Sequence, residues 1–140
     1  MTHHAKVLIR LVSATALLLA PARSGAQTAP YLTEVLKKPA YRTAWTQLLA
    51  SSKPTPSWLT TFTKTSNGVE TPSTPVTVAG QTYEAYSVCK PHDCSDNRLE
   101  VIYAPGGQQA WGILIVNAGK PRYLGSPDAA MTSALNQIQK

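Results

Sequence analysis

The chain has 140 residues and a formal net charge of +6. Nucleic-acid binding requires a clustered basic face, whereas Lys37 and Lys38 are the one adjacent basic pair in this sequence, so we expect no nucleic-acid partner. No stretch of the chain is apolar for long enough to span a bilayer, and we expect no membrane association either.

The first 26 residues are typical of a secretory signal peptide. A basic segment ends at Arg10, an apolar run covers residues 11–20, and the small residues of Ser24-Gly25-Ala26 suit a signal peptidase. We therefore predict cleavage after Ala26 and export to the periplasm as a soluble protein. Export also permits a disulfide.

The predicted mature chain, residues 27–140, has the length of one domain with a single core. Removal of the leader takes away Lys6, Arg10 and Arg23, which leaves ten basic residues against seven acidic ones and a net charge of +3. Part of the high isoelectric point therefore belongs to the leader and not to the mature protein.

Helical periodicity dominates the first third of the mature chain. Apolar residues at positions 31, 32, 35 and 36 predict a helical turn that ends at Pro39, which can also begin the next helix. Residues 40–49 predict a helix whose apolar face consists of Tyr41, Ala44, Trp45, Leu48 and Leu49. A further short helical turn is predicted over residues 57–62.

Strand signals follow. Residues 63–75 are rich in Thr, Ser, Gly and Pro, and we interpret them as an ordered surface connection. Two β-branched and aromatic runs, residues 76–78 and 81–88, flank Ala79-Gly80 and predict a hairpin. Further strands are predicted over residues 98–104, 110–116 and 122–124.

The C-terminal segment carries three helix-start signals in succession. Ser126 suits an N-cap, Pro127 the first helical position and Asp128 the first turn. The helix that follows is predicted to end near residue 139, with an apolar side made of Ala129, Ala130, Ala134, Leu135 and Ile138.

The order of helices, short-looped strands and a final helix predicts an α+β fold. We expect an antiparallel β-sheet with helices packed beside it, and a disulfide-closed protruding loop between two of its strands. The sequence contains no internal repeat that would divide residues 27–140 into smaller units.

Both cysteines of the chain lie in the hexapeptide Cys89-Lys90-Pro91-His92-Asp93-Cys94. In an exported chain this spacing favours a disulfide that closes a small loop, and a ring of about six residues contributes about 2 kcal/mol by loop entropy. Pro91 fixes one more backbone angle, so His92 would be held on a preset loop. A zinc site needs four ligands and a thioredoxin-like site needs C-x-x-C, so we expect neither a metal nor redox catalysis.

The hexapeptide has further motif residues around it, namely Thr71-Pro72, Val76-Thr77, Gly80, Tyr83, Arg98 and Val101. Together these residues resemble the Ivy family, the periplasmic inhibitors of vertebrate-type (c-type) lysozyme. The resemblance extends from about Trp58 to Val116. The fold that the resemblance implies, a sandwich of a sheet and helices, agrees with the fold that the periodicity predicts.

The resemblance also implies a site and a partner. In Ivy proteins the disulfide-closed loop enters the lysozyme cleft, where its histidine reaches the two catalytic carboxylates. The matching residues here are His92 and its neighbours Lys90, Pro91 and Asp93. The implied partner is c-type lysozyme, with the cell's own lytic transglycosylases as a second possible target, and the protein would be no enzyme and need no cofactor.

A small hydrolase is one alternative, with His92 and Asp93 acting on a serine such as Ser87 or Ser95. Adjacent residues rarely aim their side chains at each other, and the nucleophile pattern G-x-S-x-G does not occur in the sequence. We therefore expect no catalytic residues.

Aromatic residues support two further hypotheses. Trp45, Trp58 and Trp111 would form the stacking platform of a cell-wall carbohydrate-binding module, although each lies on an apolar-periodic segment and core packing is the stronger interpretation. Tyr86 and Tyr103, on the strands that flank the loop, are candidates for the rim of a protein interface.

Overall fold

The computed structural model describes residues 28–139, which form four α-helices and five strands. Three helices come first: α1 (Leu32–Val35), α2 (Pro39–Ala50) and α3 (Ser57–Thr65). The strands are β1 (Val69–Val78), β2 (Gln81–Cys89), β3 (Arg98–Tyr103), β4 (Ala110–Ile115) and β5 (Arg122–Leu124), and the last helix is α4 (Ala129–Ile138). The predicted signal peptide and its cleavage after Ala26 lie outside the described residues and stay predictions.

The five strands form one antiparallel meander. Each strand pairs with the next along the chain, so the sheet order is β1-β2-β3-β4-β5. The predicted hairpin between β1 and β2 is present, and both Ala79 and Gly80 have the positive φ that its two-residue turn requires. The predicted α+β fold with an antiparallel sheet is thus confirmed.

Helices cover both faces of this sheet. Because side chains alternate along a strand, Leu99, Val101 and Tyr103 of β3 lie on one face and Ile102 lies on the other. Helices α1, α2 and α3 pack on the first face, which we call the α2 face. Helix α4 packs on the second, the α4 face, through Met131, Ala134 and Leu135.

Strand β1 corrects one prediction. The segment interpreted as a surface connection, residues 63–75, enters the sheet at Val69. Two prolines within this segment made a strand unexpected from the sequence pattern. They are tolerated because β1 is an edge strand, in which half of the N–H groups point away from the sheet and need no partner there. The pairing with β2 is also irregular between Thr71 and Thr74.

The start of α4 corrects a second prediction. Asp128 is the N-cap, because its Oδ1 atom accepts a hydrogen bond from the Met131 backbone N–H at 2.8 Å. Ser126, predicted to be the cap, has a φ of +55° and lies in the turn before the helix. The helix is therefore shifted along the chain, so that Met131 is buried while Ala129 and Ala130, predicted to lie on the apolar side, are exposed.

The other predicted elements are confirmed with small shifts at their ends. Helix α2 begins at Pro39, one residue early, with the proline at its first position. Helix α3 continues to Thr65, beyond the predicted turn, while β3 and β4 each end one residue early. No helix within the described part of the chain has the length and apolar character needed to cross a membrane.

Candidate functional site

The hexapeptide begins at the end of β2 and leads toward β3. Cys89 is the last residue of β2, where it is buried and pairs with Val69 of β1 and Arg98 of β3. Its sulfur is bonded to that of Cys94, with 4.9 Å between the two Cα atoms, which confirms the predicted disulfide. The ring is therefore fixed in the sheet at Cys89, and the turn lies between the two cysteines.

The turn is formed by Lys90, Pro91, His92 and Asp93. The Asp93 backbone N–H donates to the Lys90 carbonyl at 3.0 Å, and His92 has a φ of +64°. Proline in the second position and a positive φ in the third are the features of a type II turn. A histidine rarely adopts this backbone conformation, so the surrounding loop must hold it there. The His92 side chain is exposed.

Asn97 holds the loop in place through hydrogen bonds, a role that the sequence pattern did not predict. The residue is 97% buried, at the point where the chain enters β3. Its Nδ2 atom donates to Asp93 Oδ2 at 2.8 Å, and its Oδ1 atom accepts from the Asn117 backbone N–H at 3.1 Å. Its backbone also bonds Lys90 and Asp93, each at 3.0 Å. The loop is therefore tied to the β4–β5 connection as well as to β2.

Lys90 and Asp93 form an ion pair within the loop. The Lys90 Nζ atom lies 2.8 Å from Asp93 Oδ2. This hydrogen bond from Lys90, together with the one from Asn97, holds the pKa of the Asp93 carboxyl below its ordinary value. Lys90 and Asp93 are therefore bonded to each other on either side of the exposed His92, and the Lys90 side chain itself remains 45% exposed.

The hydrolase hypothesis finds no support in this geometry. Asp93 directs its carboxylate toward Lys90 and Asn97, and the Ser87 hydroxyl donates to Glu100 Oε1 at 3.1 Å. Within residues 28–139, no three His, Cys, Asp or Glu side chains are grouped so that they could hold a metal ion. The loop offers one exposed imidazole flanked by a paired ammonium and carboxylate.

The proposed interface rim of Tyr86 and Tyr103 is wrong. Both side chains lie on the α2 face, almost completely buried, with their rings 5.8 Å apart. Burial raises the pKa of both hydroxyls. Although both tyrosines lie on the strands that flank the loop, their side chains point to the face that α2 covers and are therefore part of the core.

The three tryptophans do not form a common platform. Trp45 is buried in the core, and its Nε1 atom donates to Thr63 Oγ1 at 2.9 Å. Trp111 is half-buried on the α4 face, at the end of the sheet away from the loop, and packs edge-on against Tyr83. Trp58 lies beside the loop, where it lines a cavity of about 290 Å³ with Pro91. Their separation argues against a stacking surface for carbohydrate.

The comparisons with known proteins agree with one another. The family described as "Inhibitor of vertebrate lysozyme (Ivy)" matches residues 40–139. An uncharacterized protein of Yersinia pestis is 32% identical over 103 residues, which are 74% of this chain and 64% of that protein. A Pseudomonas aeruginosa protein named inhibitor of vertebrate lysozyme is 32% identical over 102 residues, with 73% and 63% covered. One of the same name from Escherichia coli K12 is 26% identical over 107 residues, with 76% and 64% covered.

Fold and loop together define a class: a small α+β protein that presents a rigidly held loop with one exposed histidine at its apex. The family match covers most of the described chain, including the hexapeptide and all five strands. The chain belongs to the Ivy family. The matched region spans a little under two thirds of the length of the curated relatives.

Proposed function

We propose that this protein is a periplasmic, non-enzymatic inhibitor of c-type lysozyme that inserts the His92 loop into the active-site cleft. The observation that carries the proposal is the exposed imidazole of His92, held at the apex of a disulfide-closed turn in a chain of the Ivy family. The names of the Pseudomonas and Escherichia relatives support the same target.

The chemistry of the target suits an imidazole. A lysozyme of this type cleaves a glycosidic bond with two carboxyl groups, one protonated as the general acid and one ionised. A charged imidazole between them can donate a hydrogen bond to each, and a neutral one can donate to one and accept from the other. In either state His92 would occupy the position of the sugar, and inhibition would be competitive.

Rigidity of the loop favours tight binding. The ordering of flexible side chains and loops at an interface is a cost that reduces affinity, and a loop that is already ordered avoids most of it. Here the disulfide, the turn at Pro91 and the buried Asn97 hold the backbone before any partner arrives. The ion pair of Lys90 and Asp93 also keeps two charged side chains at the flanks of His92.

The decisive experiment is a titration of lysozyme activity with wild type and with His92→Ala. Loss of a buried partner of the carboxylates should cost about 2–5 kcal/mol, which is at least about thirtyfold in the dissociation constant. Lys37→Ala, on the segment before α2 and far from the loop in sequence, is the control and should inhibit like wild type. Full inhibition by a folded His92→Ala variant would transfer the activity to another surface.

Specificity is measured in the same assay. A lytic transglycosylase also has an acidic cleft for peptidoglycan, and the same loop would fit it. Competition between lysozyme and a purified transglycosylase for the protein, repeated with His92→Ala, decides which enzyme is the preferred target. Binding of isolated peptidoglycan fragments with no effect on either enzyme would instead favour a carbohydrate-binding module.

A further inference from the structure

A second polar site lies on the α4 face, on the two strands that lead into and out of the His92 loop. Glu100 of β3 is 92% buried there. Its Oε1 atom accepts a hydrogen bond from Ser87 Oγ of β2 at 3.1 Å. Among the described residues, no basic side chain lies within ion-pair distance of this carboxylate. A buried carboxylate without a counter-charge is unfavourable unless something else compensates it.

Glu100 lines a cavity of about 250 Å³. Thr71 and Thr74 of β1 line it as well and are exposed, so the cavity opens at the edge of the sheet, while Ile138 lines it at the last turn of α4. A water molecule takes about 30 Å³ of liquid, and pockets for drug-sized ligands have about 300–1,000 Å³. The cavity therefore has room for one small organic group.

The irregular pairing of β1 shapes the mouth of this cavity. In a regular strand, residues three apart point to opposite faces. Here Thr71 pairs with Ser87 and Thr74 pairs with Ala85, two residues that share the α4 face, because the register shifts between the two threonines. Both threonine hydroxyls therefore lie on the same side of the sheet as Glu100. Such irregularities often re-aim side chains next to functional sites.

The electrostatic environment of the cavity favours a cation. Burial raises the pKa of Glu100 to about 7, although the hydrogen bond from Ser87 and the charge of Arg98 lower it in part. The C-terminal end of a helix carries a partial negative charge, and the last turn of α4, which holds Ile138, contains no basic residue. Neither threonine of β1 brings a charge to the site.

We propose that this cavity is a binding site for a primary ammonium or a guanidinium group, the group that ends a lysine or arginine side chain. Its positive charge would offset the ionised Glu100 carboxylate, and its N–H groups would donate to the carboxylate and to the hydroxyls of Thr71 and Thr74. The attached alkyl chain would contact Ile138 and Ala85. This site is separate from the exposed face of the His92 loop, and its test requires no lysozyme.

The test is an NMR titration of the intact protein at pH 8.5 with n-butylammonium and, separately, n-butylguanidinium. We expect saturable shifts of the Glu100 side-chain carboxyl and of the Ser87 amide. Tetramethylammonium, which has the charge but no N–H donor, should give no saturable shift. Since binding requires the ionised carboxylate, a pKa of about 7 predicts affinity about 30-fold weaker at pH 5.5 than at pH 8.5.

Two variants provide the contrast. Glu100→Gln keeps the shape of the side chain but should abolish the saturable shift of the Ser87 amide. Glu84→Gln, on the α2 face of β2 where Glu84 accepts from Tyr41, should bind both probes like wild type. Absence of saturable shifts in wild type, or an equal shift of the Ser87 amide in the Glu100→Gln variant, would overturn the proposal.

A built-in cation offers a second test that does not depend on the Glu100 variant. Thr74→Lys would place an ammonium group at the cavity mouth, and Thr74→Met has a comparable length without charge. We expect Thr74→Lys to lose the probe shifts and to unfold at higher temperature than Thr74→Met at pH 8.5. Equal stability of the two variants together with unchanged probe binding would contradict a cation site.

The origin of the cation is decided by lysozyme inhibition. If a basic side chain of the bound enzyme fills the cavity, Glu100→Gln should weaken inhibition at least tenfold at pH 8.5, and added n-butylammonium should compete. If a free amine is the ligand, inhibition should be unchanged while probe binding is lost. Both outcomes support the site. A Glu100→Gln variant that keeps both lysozyme inhibition and probe binding would overturn it.

Discussion

Two acidic side chains, one in the loop and one in the strand that follows it, have pKa values shifted in opposite directions. Asp93 is partly exposed and accepts hydrogen bonds from Lys90 and Asn97, which keep its pKa low. Glu100 is buried, accepts from Ser87, and has a pKa raised to about 7. The loop therefore uses a hydrogen-bonded carboxylate to hold its shape, whereas the cavity holds a carboxyl group whose ionised form the fold compensates only in part.

The largest effect expected from this comparison is the pH dependence of stability at Glu100. A carboxyl whose pKa is raised on folding contributes its stability below the unfolded value of 4.5, and this contribution is lost as the pH rises through about 7. The loss approaches about 3 kcal/mol, at 1.36 kcal/mol per pKa unit. Glu100→Gln should therefore gain stability over wild type between pH 4.5 and pH 8, as measured by urea unfolding.

The matched control for that experiment is Glu34→Gln. Glu34 is exposed on α1, and its side chain accepts from the Tyr31 backbone N–H, a hydrogen bond that glutamine keeps. Glu34→Gln should not show the gain in stability over wild type that Glu100→Gln is expected to show between pH 4.5 and pH 8. A Glu100→Gln profile parallel to that of wild type would show that Glu100 titrates normally in the folded protein.

Asn97→Ala should have the next largest effect. The change removes the hydrogen bonds to Asp93 and Asn117 and leaves the Asn117 backbone N–H without its partner, while Asp93 keeps the hydrogen bond from Lys90. We expect a cost of about 2–3 kcal/mol in the free energy of unfolding. Inhibition of lysozyme should weaken as well, because the turn that presents His92 loses its support. Gln108→Ala, on the exposed connection between β3 and β4, is a surface control for stability. An unaltered loop in the Asn97→Ala variant would mean that the disulfide and the turn suffice.

Removal of the disulfide should have a smaller effect on stability. Because the ring closed by Cys89 and Cys94 contains about six residues, its loss should cost about 2 kcal/mol. Cys89→Ala/Cys94→Ala should therefore stay folded and inhibit less well, since the loop must be ordered on binding. Unfolding curves and lysozyme titrations of the same sample separate the two effects. A parallel loss of melting temperature and inhibition would argue that the bond mainly supports the fold.

The smallest effect is expected for Lys90→Ala. Ion pairs near the surface contribute little to stability, so the unfolding midpoint should hardly move. The pKa of Asp93 should nevertheless rise toward its ordinary value, because Lys90 is the main cause of its depression. A carboxyl NMR titration of Asp93 measures this directly. Lys120→Ala, on the exposed β4–β5 connection, should leave that pKa unchanged.

Local signals in the sequence were sufficient for the loop and for most helices and strands. The hexapeptide contains both cysteines, the proline and the histidine, so one contiguous pattern indicates both the family and the disulfide. The helical spacing around Trp45 likewise predicted α2. These features depend on neighbours along the chain, and periodicity and turn chemistry report on such neighbours directly.

Tertiary structure alone decided the rest. Tyr86 and Tyr103 alternate along their strands in a way that fits either face of a sheet, and only the packing of α2 shows that their face is the core. Asn97 looks like an ordinary loop residue until Asn117, twenty residues later, is placed beside it. The cavity of Glu100 needs β1, β2, β3 and α4 together. A sequence encodes which residues are near each other along the chain, whereas burial and charge compensation depend on which segments meet in space.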